Sequence, residues 1–168
     1  GIAFGNGKFV AVGDNGSASY SADGINWFAA TIPSGYTNVS LRNVAFGNGR
    51  LVAIGYESGN SYAMPSPNGT SWTSITLPTG GYWHGICYGN NQFVAVGWGH
   101  AAYSPDGITW YNSSAISTYA YWQAVTYNGS KYVAVACVTS SGGNNACVMY
   151  STDGINWIAV TPPDAFKS

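Results

Sequence analysis

Apolar residues gather in four short runs: Phe9-Val10-Ala11-Val12, Leu51-Val52-Ala53-Ile54, Phe93-Val94-Ala95-Val96 and Tyr132-Val133-Ala134-Val135-Ala136. Their starts lie 42, 42 and 39 residues apart. A brief unbroken apolar run bounded by turn residues predicts a strand buried on both faces. In the second copy the run follows an alternating segment, Asn43 to Gly47, and the pair Asn48-Gly49. Asn-Gly suits a two-residue hairpin, because both central positions need positive φ. A third short strand, Ser61 to Pro65, leads through the turn Pro67-Asn68-Gly69 into a fourth, Ser71 to Leu77. Four antiparallel strands in about 42 residues make one propeller blade. No segment carries an apolar stripe of helical period. The expected fold is therefore all-β, a β-propeller of four four-stranded antiparallel blades in one domain, residues 1–168. The repeats run at about 1–42, 43–84, 85–123 and 124–168.

Each repeat also carries Ser-x-Asp/Asn-Gly-x-x-Trp: Ser21 to Trp27, Ser66 to Trp72, Ser104 to Trp110 and Ser151 to Trp157. The acidic or amide side chain accepts backbone N–H groups of its own turn, and glycine takes the left-handed position. Serine adds a local bond, and tryptophan supplies a large apolar surface between blades. These residues resemble the Asp-box, or BNR, repeat of sialidase-like propellers, with one residue fewer between Asp and Gly than that family's usual spacing. The second copy departs further, with Asn68 in place of Asp. The resemblance covers all four repeats; it implies blade architecture and leaves activity open. The chain begins inside a repeat, consistent with a processed product or a piece of something longer. Phe166-Lys167-Ser168 align with Tyr82-Trp83-His84, the lead-in to a first strand. That suits a closed four-bladed ring, a portion of a larger propeller, or a half-ring completed by a second chain.

Charged residues make up only 7% of the chain, and the net charge is -1. No basic stripe marks a nucleic-acid partner. No apolar run reaches the roughly 18–20 residues of a membrane span, so membrane insertion is not expected. Uncharged polar residues and 15% aromatics suit an extracellular, cell-surface or virion-surface setting. Cys137 and Cys147 flank a Gly/Ser/Asn loop and are either bonded across two strands or simply small packed residues, and Cys87 aligns with Ala3, Ala45 and Thr126. Five Asn-x-Ser/Thr sequons, at Asn15, Asn38, Asn68, Asn112 and Asn128, are glycan acceptors only in a eukaryotic secretory pathway.

Catalytic chemistry finds little support in these residues. Asp23, Asp106 and Asp153 belong to the repeated turn. A glycosidase needs two carboxylates across one sugar, and Asp14 and Glu57, at similar places in adjacent repeats, are the pair to consider. Sialidase activity is not transferred from the resemblance, because only Arg42 and Arg50 are present where that family uses an arginine cluster. His84 and His100 do not form a ligand-spaced cluster, so no metal site is expected, and nothing calls for a cofactor.

The repeats differ on one side only. The hairpin turns and the Asp-Gly turns on the first side are uniform. The inter-blade linkers and middle loops on the other vary and are aromatic. Uniform turns suggest scaffold and varied aromatic loops suggest recognition. The candidate ligand residues there are Tyr36, Arg42, Tyr82, Trp83, His84, Trp98, His100, Tyr119, Tyr121 and Trp122. Arg42, His84 and Gln123 share one aligned position; Trp83 and Trp122 align with Leu41, a place that also suits packing between blades. Aromatic rings beside neutral polar groups fit a sugar's apolar face and hydroxyls. The leading expectation is a non-enzymatic binding module for a glycan or cell-surface receptor. A structural module binding other subunits stands second, and a glycoside hydrolase third.

Overall fold

The computed structural model describes residues 1–78, 81–114, 120–138 and 148–160, with only the backbone of Cys137 and Val138. The Cys137–Cys147 pairing, Tyr119 and the terminal segment 161–168 lie outside the described residues. Every described element is a strand or turn, and the strands form four separate four-stranded antiparallel sheets. Blade 1 holds β1 (Ile2–Gly5), β2 (Lys8–Val12), β3 (Ala18–Ser21) and β4 (Phe28–Ala29). Blade 2 holds β5 (Ser40–Gly47), β6 (Arg50–Glu57), β7 (Asn60–Ser66) and β8 (Ile75–Thr76). Blade 3 holds β9 (Trp83–Gly89), β10 (Gln92–Gly97), β11 (His100–Ser104) and β12 (Tyr111–Asn112). Blade 4 holds β13 (Ala120–Tyr127), β14 (Tyr132–Val138), β15 (Val148–Ser151) and β16 (Ile158–Val160). The first strands lie side by side in the order β1, β5, β9, β13, which is the arrangement of propeller blades.

Turn chemistry sets the register. Gly47 pairs with Arg50 across Asn48-Gly49, and both turn residues have positive φ, 47° and 72°. In the second type of turn, Ser21 Oγ accepts the Gly24 N–H at 2.9 Å, and Asp23 Oδ1 accepts the N–H groups of Ile25 and Asn26, each at 2.8 Å. Asn68 does the same work with an amide oxygen, accepting from Thr70 at 2.9 Å and Ser71 at 3.0 Å. The two kinds of turn meet on one side of the disc: Asn6 Nδ2 donates to Pro67 O at 2.7 Å and Gln92 Nε2 to Asp153 O at 2.6 Å.

Among the described residues the core is three apolar layers, one between each pair of successive blades. Val10, Leu51, Met64 and Trp72 fill the first, Val52, Ile54, Phe93 and Trp110 the second, and Val94, Tyr132 and Met149 the third. Close approach is set by glycine. Phe46 lies on Gly5, Tyr88 on Gly47 and Tyr127 on Gly89, so closely that a Cβ at any of these glycines would overlap the ring.

Two strand expectations are corrected. The first strand of blade 2 begins at Ser40 rather than Asn43, because a β-bulge lets pairing continue past Arg42. The fourth strand is only Ile75–Thr76 instead of Ser71 to Leu77. The backbone N–H of Trp72 is committed to Thr31 O of the preceding blade at 3.2 Å, which takes that stretch out of its own sheet.

Candidate functional site

The bulges build the site. Register shifts fall between Leu41 and Asn43 in β5, opposite Val96/Gly97 in β9, and between Trp122 and Ala124 in β13. The residues left unpaired are Arg42, His84 and Gln123, the one aligned position at which the repeats offer different polar side chains. A bulge re-aims the extra side chain while the strand resumes its alternation on either side. Leu41, Trp83 and Trp122 just before the bulges remain buried.

Aromatic side chains from the linkers and middle loops then join into one ladder across blades 2, 3 and 4. The Arg42 guanidinium lies 5.1 Å from the Tyr56 ring centroid, and Nη2 donates to Tyr56 Oη at 2.8 Å. Tyr56 meets Tyr82 edge-on at 4.6 Å, Tyr82 meets Trp98 at 5.7 Å, and Trp98 stacks on Tyr121 at 5.2 Å with the planes 7° apart. Asp14 of blade 1 closes the far end with an ion pair to Arg42 at 3.4 Å.

Backbone bonds fix the central rung. The Trp98 N–H donates to Tyr82 O at 3.0 Å, and the Gly99 N–H donates to Ala120 O at 3.1 Å, so the tip of the β10–β11 turn is held between the linker before β9 and the start of β13. Trp98 and Tyr82 still expose 40% and 38% of their surface. With Gly59 and Gly81 they line an open depression of about 290 Å³. His84 touches Tyr56 at 5.9 Å between centroids, and His100 lies beside Trp83 at 6.4 Å. Burial, and then the nearby Arg42 charge, push the His84 pKa below its ordinary value. A neutral imidazole offers one donor and one acceptor.

Not every candidate belongs here. Tyr82, Trp98, Tyr121, Arg42 and His84 come together, with His100 at the margin. Trp83 and Trp122, read from sequence as candidate ligand residues, are fully buried in the second and third layers. They pack as core residues here. Tyr36 packs against Tyr62 at 5.2 Å beside the first layer, away from the ladder. Tyr56 is a rung that the ten candidates omit; its alignment with Trp98 is the signal for it. Among the described residues no group of three His, Cys, Asp or Glu side chains is placed to hold a metal. No described helix is long and apolar enough to cross a membrane. Desolvation pushes the partly buried Cys87 thiol up to about 12, the behaviour of a packed rather than a reactive cysteine.

Neither a family model nor a curated protein matches the chain. Solved structures do match in fold. A structure of YCF48 bound to D1 peptide is similar at 22% identity and a TM-score of 0.63, over 88% of this chain and 47% of that one. Virginiamycin B lyase from Staphylococcus aureus is similar at 13% identity and 0.61, over 80% and 47%. An exo-1,5-alpha-L-arabinanase from a bovine ruminal metagenomic library is similar at 13% and 0.51, over 90% and 69%. The architecture is thus that of a β-propeller, and the chain spans about half the length of the first two of these.

Proposed function

We propose that the protein is a non-enzymatic recognition module that binds a neutral glycan on the Tyr56–Tyr82–Trp98–Tyr121 ladder. The observation that carries this reading is the exposed, backbone-anchored Trp98, stacked on Tyr121 and open on the side of the depression. A ring held rigidly by its neighbours presents a flat apolar face without losing rotamer freedom on binding. The C–H face of a pyranose suits that surface, while His84 beside Tyr56 and the Tyr82 hydroxyl offer it uncharged polar groups. The one strong cation in the ladder, Arg42, is already engaged by Asp14 and Tyr56, which favours neutral over acidic sugars. An extracellular or virion-surface setting accords with this role.

A hydrolytic reading draws less support. Asp14, one of the two acids it needs, is largely exposed and paired with Arg42. A peptide ligand on the same ladder is the second reading. It is favoured by the tyrosine-rich surface and by the peptide-bound propeller among the similar structures. Titration of the chain with neutral oligosaccharides, followed by tryptophan fluorescence, tests the proposal. Saturable quenching lost in Trp98→Ala supports it, and an unchanged response in that variant rejects it.

A further inference from the structure

Three seams join the successive blades, and the middle one is built differently at the place where the depression opens. Two residues before each of Leu41, Trp83 and Trp122 stand Val39, Gly81 and Ala120. Five residues before the turn serines Ser21, Ser66 and Ser104 stand Gly16, Ser61 and Gly99. These two positions meet across each of the three seams. The Gly16 N–H donates to Val39 O at 2.8 Å, and the Gly99 N–H donates to Ala120 O at 3.1 Å. Both glycines have positive φ, and a Cβ on Gly16 would stand 2.6 Å from Tyr36 O, so main chain meets main chain there. The lead-in residues then fill those seams with their own side chains, since Val39 and Ala120 are buried.

The middle seam reverses the arrangement. The β6–β7 hairpin runs on to pair Glu57 with Asn60, which leaves Ser61 inside a strand with its carbonyl taken by the Leu77 N–H at 2.9 Å. Its side chain makes the crossing instead. Ser61 Oγ accepts the Gly81 N–H at 2.8 Å and donates to Gly81 O at 2.5 Å, and Ser61 is 1% exposed. A hydroxyl donates only once, so its proton is committed to this one residue. On the other flank a Cβ on Gly81 would stand 3.1 Å from His100 Cδ2, so a side chain at residue 81 crowds the imidazole. Serine on one side and glycine on the other are a matched pair, at the seam where Gly81, Tyr82 and Trp98 line the depression.

We infer that Ser61 is a positioning residue: its hydroxyl fixes Gly81 and, through it, the Tyr82 and Trp98 rungs. The inference rests on the recognition reading and adds what holds the central rungs of that site in place. Ser61 holds both backbone polar groups of Gly81, the next residue is Tyr82, and Tyr82 O accepts the Trp98 N–H at 3.0 Å. Removing the hydroxyl takes that partner from both Gly81 groups and almost no apolar surface from the core. The linker then loosens, and the two rings lose their fixed relation while the blades stay packed.

Amide hydrogen exchange and titration with neutral oligosaccharides test this on Ser61→Ala, Ser61→Val and Ser61→Thr. Threonine and valine differ in the hydroxyl at nearly equal volume, so comparing them removes any crowding that the added atoms cause. In Ser61→Ala the Trp98 N–H is expected to exchange at least tenfold faster. The Trp72 N–H, bonded to Thr31 O across the first seam, is expected to keep its wild-type rate. At Trp98, Ser61→Thr is expected to exchange at least tenfold more slowly than Ser61→Val. Affinity is expected to follow the same order, falling at least tenfold in Ser61→Ala. An unchanged Trp98 rate in Ser61→Ala, equal acceleration at Trp72, no difference between Ser61→Thr and Ser61→Val, or wild-type affinity in Ser61→Ala overturns the inference. A wild type that binds no neutral oligosaccharide overturns the recognition reading instead, and the exchange rates still decide whether Ser61 sets the rungs.

Discussion

Trp98 and Tyr121 belong to different blades, yet their rings stack at 5.2 Å and within 7° of parallel, and their backbones form an antiparallel bridge. The contact joins the turn after one buried strand to the first strand of the next blade. It makes a rigid aromatic platform out of two segments that are otherwise the most variable in the repeat.

Because 40% of the Trp98 surface is exposed, its removal should separate binding from folding. Trp98→Ala is expected to cost about 1 kcal/mol of stability, in line with the loss of one partly exposed aromatic contact. It is expected to lower glycan affinity at least tenfold. Urea denaturation and a binding titration on the same sample check both halves.

The tryptophans that end the repeated Ser-x-Asp/Asn-Gly-x-x-Trp turn should differ sharply between blades 1 and 2. Trp72 is buried between blades, and Trp72→Ala is expected to destabilise by about 3–5 kcal/mol. Trp27→Ala is expected to cost well under half of that, because Trp27 is 40% exposed here. Parallel urea melts at low protein concentration give the comparison.

Glycine at the blade contact is a packing requirement. Gly47→Ala places a methyl group inside the Tyr88 ring and forces blade 3 away from blade 2, at a cost of about 1–3 kcal/mol. Gly49→Ala in the adjoining turn meets no neighbour, and its cost comes from the positive φ of 72° alone. Thermal melts of the two variants separate crowding from backbone strain.

Acid should weaken the turns in a defined window. Hydrogen bonds from the Asn26 backbone and side chain, then from the Ile25 N–H, hold the Asp23 carboxyl well below its ordinary value. At Asp106 and Asp153 partial burial opposes the charge, yet bonds from the backbone N–H groups of Thr109 and Asn156 outweigh it. A carboxylate depressed on folding stabilises the protein above its unfolded pKa of about 3.9, and that contribution fades as pH falls toward the folded value. The melting temperature is therefore expected to drop steadily below about pH 4. Asp23→Asn with Asp153→Asn, copying what Asn68 already does, should retain the fold and flatten that fall.

The turns were legible in the chain because their chemistry is local: Asn48-Gly49 and Asp23-Gly24 need particular φ values whatever surrounds them. The blades followed from the period of the apolar runs. The bulges were hidden, although a signal existed. Leu41 and Val44, Trp83 and Ile86, and Trp122 and Val125 are each three residues apart, yet each pair shares one core layer. An unbroken strand would put residues three apart on opposite faces, so such pairs mark a slipped phase. Without the slip, Trp83 and Trp122 could not be told from surface residues, and Tyr56 could not be joined to Tyr82. The short fourth strands depend on bonds such as Trp72 N–H to Thr31 O, made between blades and invisible to any local pattern.

A broad glycan array, probed with the wild-type chain and with Trp98→Ala side by side, addresses the recognition role most directly. Selective binding to neutral glycans by the wild type, absent in the variant although it melts normally, is the predicted result. An array left blank by a folded wild-type chain, or binding that Trp98→Ala leaves intact, would contradict it.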